Sequence, residues 1–484
     1  MKICFATSEC VPYVKTGGLA DVSGSLPKAL AELGHEVKVF LPLYQSIKTA
    51  ELGLHFSDDL QEMSVQIGEK VIPFYAWHGT LPGSNVDVHL IECAHYYHRK
   101  HVYTEDDDED ERFIFFQHAV FQILQRYHWA PDIIHANDWQ CALLPVLLKM
   151  KYHWDALFSR TATLLTIHNI GYQGRFSSEA IGKADLFYDQ FYPGGPYEFH
   201  GSFSFLKTGL LFAEMISTVS PTYAQEIQTK EYGAGLEGVL ASRRADMQGI
   251  LNGIDADIWS PEVDAFIQHH YSHESIEKKA LNKRDLLESV GLPFHEDVPV
   301  IGIISRFTGQ KGFDLLRPVM HAALQMPVQF VILGSGEAQL EDFFRFAAQS
   351  FPEKVWTYIG FNNELSHRVT AGSDLFLMPS LYEPCGLNQM YSLQYGTVPI
   401  VRKTGGLADT VMDYHEFAGS GNGFSFHDKS PEALLNAIAR AALLYSQKDE
   451  WRTIMLRGMK ADFTWKHSAK QYETLYEEAK RRRG

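Results

Sequence analysis

The sequence predicts an α/β protein built from two doubly wound domains, each a parallel sheet with helices on both faces. Three observations carry this expectation. Short, β-branched and nearly continuous apolar runs alternate with longer amphipathic stretches, the pattern of strands buried on both faces. The alternation starts afresh in the second half of the chain. The length, 484 residues, is long for one hydrophobic core and comfortable for two.

Strands are expected in the first half at 2–7, 36–42, 86–92, 132–137, 162–169 and 215–220, with an amphipathic helix at 112–128 between them. The second half repeats the scheme at 298–306, 328–336, 355–360, 374–380 and 397–402. Asn-Gly and Ser-Pro interrupt the periodicity in "ILNGIDADIWSPEVD" (250–264), which puts the boundary there. Residues 1–251 then form the N-terminal domain and 252–464 the C-terminal domain. The tail, 465–484, reads as a helix packing back on the N-terminal domain. Its basic end suits a helix C-terminus and is read as solvated. The acidic run "TEDDDEDE" (104–111) is read as an exposed loop leading into a helix, because its carboxylates lack the spacing of metal ligands.

Apolar residues make up 45% and charged residues 21%, as in ordinary globular proteins. With 43 basic and 59 acidic side chains the net charge is −16, which argues against a nucleic-acid partner while leaving room for a local phosphate site. The five cysteines are scattered and form no C-x-x-C pair, so neither a disulfide framework nor a zinc site is expected, and a reducing cytoplasm is the simplest location. The opening "MKICFATSEC" is broken by Thr7, Ser8 and Glu9 and cannot form a signal-peptide core. No run approaches the ~20 apolar residues of a membrane span.

Ligands of doubly wound domains sit beyond the C-terminal ends of the strands, and unusual residues cluster at those ends in both halves. "KTGGLAD" occurs twice, at 15–21 and 403–409, each time after a strand and opening a helix. Paired glycines permit close backbone approach, and the helix start favours an anion. With Lys15 on one side and Asp21 on the other, the first copy reads as a phosphate or sugar contact. "HANDW" (135–139) and "TIHNIGYQG" (166–174) end neighbouring strands on polar side chains. Asp138 can accept from a hydroxyl, Trp139 can lie against a sugar face, and His168 and Asn169 can bond sugar hydroxyls. Each residue taken alone is equally readable as a satisfied structural group.

In "SRFTGQKG" (305–312), Arg306 and Lys311 can converge on one anion, and a diphosphate suits a guanidinium fork beside an ammonium point charge. "SLYEPCGLNQMYSLQYG" (380–396) is the most specific stretch. Glu383 stands at a strand–loop–helix junction, where a carboxylate can grip vicinal hydroxyls while the helix start at Gly386, Leu387 and Asn388 faces a phosphate. Cys385 has no histidine nearby in sequence to activate it, so a packing or backbone role is expected.

Together these stretches, in this order and spanning essentially the whole chain, resemble the glycogen and starch synthases of the bacterial and plant type. The resemblance implies the GT-B fold, two Rossmann-like domains facing a deep cleft. It implies retaining transfer of glucose from ADP-glucose to the non-reducing end of an α-1,4-glucan (glycogen or a maltooligosaccharide), with no cofactor, no metal, no nucleic acid and no membrane partner. Carried over by position, Lys15, Gly17 and Gly18 resemble donor-phosphate contacts. Asp21, Asp138, His168 and Asn169 resemble contacts around the glucosyl group. Arg306 and Lys311 match the diphosphate pair, and Glu383 matches the carboxylate on the glucose hydroxyls, with Cys385, Gly386 and Leu387 beside it. Tyr97 and Asn252 look like further cleft residues, and Phe361 falls where an aromatic ring would pack on the base. Many other retaining GT-B enzymes carry a second glutamate eight positions after the first. This chain has Tyr391, which fits the synthases.

No motif supplies a nucleophile for a covalent intermediate. The expected mechanism is departure of ADP stabilised by Arg306, Lys311 and a helix start, with same-face attack by an acceptor hydroxyl that the leaving phosphate deprotonates. Competing readings are a UDP-glucose transferase, a sugar-nucleotide sensor without activity, which would be expected to lose Arg306, Lys311 or Glu383, and a phosphorylase, which would need pyridoxal phosphate. The two heptapeptides are expected to be unequal, with Lys15 serving catalysis more than Lys403.

Overall fold

The computed structural model describes residues 1–417 and 420–484. They gather into two compact units, Met1–Gly253 with Trp465–Gly484, and Ile254–Thr464.

The N-terminal unit carries β1 (Lys2–Ala6), β2 (Glu36–Pro42), β3 (His55–Phe56), β4 (Met63–Ile67), β5 (Lys70–Thr80), β6 (Asp87–Glu92), β7 (Ile133–Asn137), β8 (Ala162–Ile167), β9 (Arg175–Phe176), β10 (Glu198–Phe199), β11 (Ser202–Ser204), β12 (Met215–Thr218) and β13 (Met247–Gly249). Its main sheet runs β13-β12-β8-β7-β1-β2-β6-β5-β3, with β4 on β5. The pairings from β13 to β6 are parallel. The β3–β5 edge is antiparallel. Ile3, Cys4, Phe5 and Ala6 of β1 are all fully buried, which is why the parallel strands read as unbroken apolar runs. The antiparallel edge escapes that pattern. "KVIPFYAWHGT" (70–80) exposes alternate residues and contains Pro73, so its apolar signal is half as dense. A small antiparallel sheet of β9, β10 and β11 is a further addition to the expected scheme.

The acidic run matches its reading as an exposed loop leading into a helix only in part: 105–107 are exposed loop, but its last three residues are not. Glu109, Asp110 and Glu111 form the first turn of the helix Glu109–Arg126 and are buried. Arg112, fully buried, donates to Glu109 Oε2 at 2.5 Å, Lys183 to Asp110 Oδ2 at 2.9 Å, and Lys70 to Glu111 Oε2 at 2.9 Å. Burial of these charges is tolerable because each has a cation, and their place in the first turn suits the helix dipole.

The helix Trp465–Arg483 belongs to the N-terminal unit. Tyr476 lies against His135 of β7, its hydroxyl 2.8 Å from His135 Nδ1. The basic end is more than solvated: Lys480 pairs with Asp132 at 2.6 Å and Arg482 pairs with Asp246.

The C-terminal unit carries β14 (Val300–Phe307), β15 (Gln329–Gly336), β16 (Val355–Ile359), β17 (Leu375–Met378), β18 (Val398–Arg402) and β19 (Phe424–Phe426) in one sheet ordered β16-β15-β14-β17-β18-β19. Every pairing is parallel. Ile301, Ile303, Phe330, Ile332, Leu375, Leu377 and Ile400 pack with Leu434, Ile438 and Trp451 from the covering helices.

Candidate active site

In the N-terminal unit β1, β7 and β8 are neighbours in the sheet, so the polar residues that follow them emerge side by side. Asp138 follows β7 with φ +54°, a left-handed conformation uncommon for a residue with a side chain. Its Oδ1 accepts the backbone N–H of His168 at 2.7 Å and of Asn169 at 3.4 Å, which ties the end of β7 to the end of β8. Burial pushes this carboxyl up to about 7, the two N–H donors pull it back, and the nearby Glu9 charge adds to the rise.

His168 is buried, and burial lowers its imidazole to about 3, so the ring is neutral. Its tautomer follows from the network. Asn137 donates through Nδ2 to Ala6 O at 3.0 Å, so Asn137 Oδ1 is the atom 2.9 Å from His168 Nε2. Nε2 therefore carries the proton and Nδ1 remains an acceptor. Asn169 Oδ1 accepts from Gly171 N at 3.0 Å, shaping the loop that follows.

The first heptapeptide enters the helix Gly18–Glu32, and a methyl group added at Gly17 or Gly18 would meet no atom within 4 Å. Open space there leaves the backbone approachable. Lys15 Nζ donates to Asp21 Oδ1 at 2.7 Å with half the lysine side chain exposed, an ion pair weak enough to exchange for a ligand. The turn's N–H groups are less available than its sequence implies. Glu9, buried, accepts from Thr16 N at 2.5 Å and Gly17 N at 3.0 Å, and so fills two of them.

The second heptapeptide does a different job. A methyl group at Gly405 (φ +44°) would lie 1.9 Å from Glu383 O, and one at Gly406 would lie 2.1 Å from Cys385 O. These glycines are the floor on which the 383–385 loop rests, and Gly406 N donates to Glu383 O at 3.2 Å. Lys403 pairs outside the motif, with Glu416 at 2.8 Å.

On the C-terminal unit β14, β17 and β18 are neighbours, so three loops converge at their ends. Gly312 has φ +72°, and a methyl group there would sit 2.0 Å from Pro379 O, so the loop after β14 lies directly on the loop after β17. This contact carries Lys311 to Glu383, with Nζ and Oε2 2.6 Å apart, and Ser380 Oγ donates to the same oxygen at 3.0 Å. Arg306, one residue before the end of β14, is exposed to solvent. Phe361, just beyond β16, is 83% exposed and offers a free ring face. Cys385 is buried, and its carbonyl accepts from Gln389 Nε2 at 3.1 Å, as does Gly386 O at 2.9 Å; Gly386 itself has φ +70°. Leu387 precedes the helix Asn388–Gln394.

Two aromatic expectations fail. Trp139 does not present a ring to a sugar. It is buried among Phe113, Phe176 and Phe205, with centroids 5.0, 5.6 and 6.2 Å away. Tyr97 is fully buried and donates to Arg112 O at 2.9 Å, so it serves as core beneath the site. Asn252 is buried just past β13, and its Oδ1 has no partner among the described residues.

Residues not singled out from the sequence complete the arrangement. Arg402, buried at the end of β18, donates to Ser380 O at 2.8 Å and also reaches Leu381 O, holding the Glu383 loop from below. Its one sequence signal is a charge closing an otherwise apolar strand. Glu9 has a comparable signal, an acid between the first strand and the glycine turn.

The model of the starch synthase catalytic domain matches residues 2–242, and that of glycosyl transferases group 1 matches residues 288–453. A glycogen synthase of Thermosipho africanus is 45% identical over 100% of both chains, and one of Thermotoga maritima is 44% identical over 99% of both. Among solved structures, the catalytic domain of starch synthase IV from Arabidopsis thaliana, bound to ADP and acarbose, superposes with a TM-score of 0.91 at 34% identity over 99% of both chains. Sucrose-phosphate synthase from Thermosynechococcus elongatus, at TM-score 0.58 and 18% identity over 98% of both chains, shares the fold alone.

Proposed function

The chain belongs to the family of bacterial glycogen synthases and starch synthase catalytic domains, and from that premise we propose how its strand-end residues act. It is a retaining glucosyltransferase of the GT-B fold that moves glucose from ADP-glucose to the non-reducing end of an α-1,4-glucan. The observation that carries our assignment of roles is the Lys311–Glu383 pair, a cation and a carboxylate 2.6 Å apart at the ends of two adjacent strands. A sugar nucleotide needs both, an ammonium for its diphosphate and a carboxylate for its vicinal hydroxyls.

In our reading Lys311 exchanges its bond to Glu383 for a donor phosphate oxygen, and Arg306, exposed near the end of β14, takes a second oxygen. Glu383 is then free to accept from the glucose hydroxyls, with Ser380 keeping its orientation. Phe361 covers the adenine ring. Lys15, Gly17, Gly18 and Asp21 contact the donor, and Asp138, His168 and Asn169 contact the glucosyl group. The lone pair on His168 Nδ1 suits acceptance from a sugar hydroxyl. As the glycosidic bond breaks, negative charge grows on the ADP phosphate, and the two cations stabilise it more in the transition state than before. The acceptor hydroxyl attacks from the face the phosphate leaves and gives its proton to that phosphate. No carboxylate nucleophile is required. That the relative from Arabidopsis was captured with ADP and acarbose supports a nucleotide pocket and a glucan-like site in one enzyme. The acceptor is glycogen or a maltooligosaccharide. The scattered free cysteines favour a cytoplasmic location.

Purified protein incubated with maltooligosaccharide and either ADP-glucose or UDP-glucose tests this reading. Chain elongation with release of ADP, faster than with UDP-glucose, is expected. A preference for UDP-glucose would overturn the donor assignment.

A further inference from the structure

We propose that Glu9 is a positioning residue for the transfer, holding the Lys15–Gly18 turn in the shape that presents Lys15 to the donor. The inference rests on the reading of Lys15 as a donor contact. Glu9 is 3% exposed and its carboxylate accepts four hydrogen bonds. Oε2 takes Thr16 N at 2.5 Å and Gly17 N at 3.0 Å, and Oε1 takes Thr16 Oγ1 at 2.6 Å and Tyr103 Oη at 2.6 Å. Three of the four donors therefore come from the two residues that follow Lys15.

The carboxylate is itself anchored. Thr7 Oγ1 donates to Glu9 O at 2.8 Å and lies 2.9 Å from Ser23 Oγ, in the helix that the turn opens. Tyr103 arrives from the segment before the helix Glu109–Arg126, and Ser8 Oγ donates to its hydroxyl at 2.8 Å. Among the described residues no cation pairs with Glu9, and Lys15 pairs with Asp21 instead. A buried carboxylate without a counter-ion is costly unless hydrogen bonds replace its water. Here they do, and every bond goes to the turn or to its support. Because Glu9 fills the Thr16 and Gly17 N–H groups, the turn meets an anion through the Lys15 ammonium and not through those two amides. Glu9 acts through Lys15 and touches no substrate.

The test is a double-mutant cycle. Glu9→Gln keeps the size but offers a single acceptor oxygen, so one side of the network faces an amide NH2. Its kcat with ADP-glucose should fall at least tenfold, while Kd for ADP, which we assign to the Arg306–Lys311–Glu383 pocket, stays within twofold of wild type. In a Lys15→Ala background Glu9→Gln should add less than a twofold loss. A full tenfold loss on top of Lys15→Ala would overturn the proposal, because Glu9 would then act independently of Lys15. Should Glu9→Gln fail to fold, Thr16→Val decides: this exposed residue loses one bond to Glu9, and a severalfold lower kcat at unchanged ADP affinity is expected. Wild-type kcat in Thr16→Val would overturn the proposal. A wild-type protein inactive with both ADP-glucose and UDP-glucose would instead overturn the functional reading beneath it.

Discussion

Lys15 and Lys403 stand at the same place in identical heptapeptides yet face different tasks. Lys15 sits beside open glycine backbone and is held by an exposed ion pair with Asp21. Lys403 is tied to Glu416, beyond a glycine pair that is packed under the Glu383 loop. Lys15→Ala should therefore lower kcat with ADP-glucose at least tenfold and Lys403→Ala less than threefold, on the scale of about 1.4 kcal/mol per factor of ten. Steady-state rates of the two variants check this, and a larger loss in Lys403→Ala would reverse the assignment. Asp138 makes a pH prediction. Burial raises its carboxyl to about 7, so it is largely protonated below that pH and ionised above it. If transfer needs the carboxylate, kcat/KM rises with pH through about 7, and Asp138→Asn removes that limb while lowering the plateau. An unchanged acid limb in Asp138→Asn would assign it to another group.

At the scale of elements, the two glycine turns differ in what they tolerate. Gly406→Ala pushes a methyl group to 2.1 Å from the Cys385 carbonyl oxygen, a backbone atom, and should cost about 1–3 kcal/mol of stability. Gly18→Ala meets nothing within 4 Å and should change stability by less than about 0.5 kcal/mol. Thermal or denaturant unfolding of the pair distinguishes packing from ligand approach. The N-terminal unit also concentrates buried, neutral histidines, in β6 (His89) and β7 (His135), just past β8 (His168) and in the helix Glu109–Arg126 (His118). Burial lowers His89 and His168 to about 3, His118 to about 4 and His135 well below its usual range. Each folded-state value lies below that of the unfolded chain, so the unfolded state binds the extra proton. The stability they contribute is complete above roughly pH 6.5 and is lost as pH falls towards 4. The raised Asp138 carboxyl works in the opposite sense, its penalty easing over the same range, but it is one group against four. Hydrogen exchange corrected for intrinsic rates should show the N-terminal unit opening before the C-terminal unit between pH 6.5 and 4. The reverse order would contradict the assignment of these rings as buried and neutral. The parallel strands were legible because burial on both faces writes an unbroken apolar run. The edge strands β3, β4 and β5 were not, because exposed positions dilute their pattern.

For the whole molecule, the sequence shows which strand ends carry polar side chains, since Asp138, His168, Arg306 and Glu383 each stand at or shortly past the end of an apolar run. It does not show what those side chains rest on. Glu9 reaches forward to Thr16 and across to Tyr103, and Arg402 reaches back to Ser380, pairings that exist only once the loops are folded. Trp139 and Tyr97 differ from the sequence expectation for the complementary reason, that an aromatic beside a polar motif looks alike in sequence whether it faces a ligand or a core. The C-terminal helix illustrates a longer reach: Tyr476 lies against His135 from 341 residues away. The Lys311–Glu383 pair, in this reading, serves a sugar nucleotide. The most direct measurement of that role is the rate of glucose incorporation from ADP-glucose into maltooligosaccharide by wild type, Lys311→Ala and Glu383→Gln, with ADP binding followed by calorimetry. Wild type should elongate the chain with α-linked glucose. Lys311→Ala should be slower by roughly 30- to 1,000-fold, the loss of about 2–4 kcal/mol of transition-state stabilisation. Glu383→Gln should bind ADP normally and transfer poorly. Near-wild-type turnover by Lys311→Ala, with its fold intact, would contradict the account.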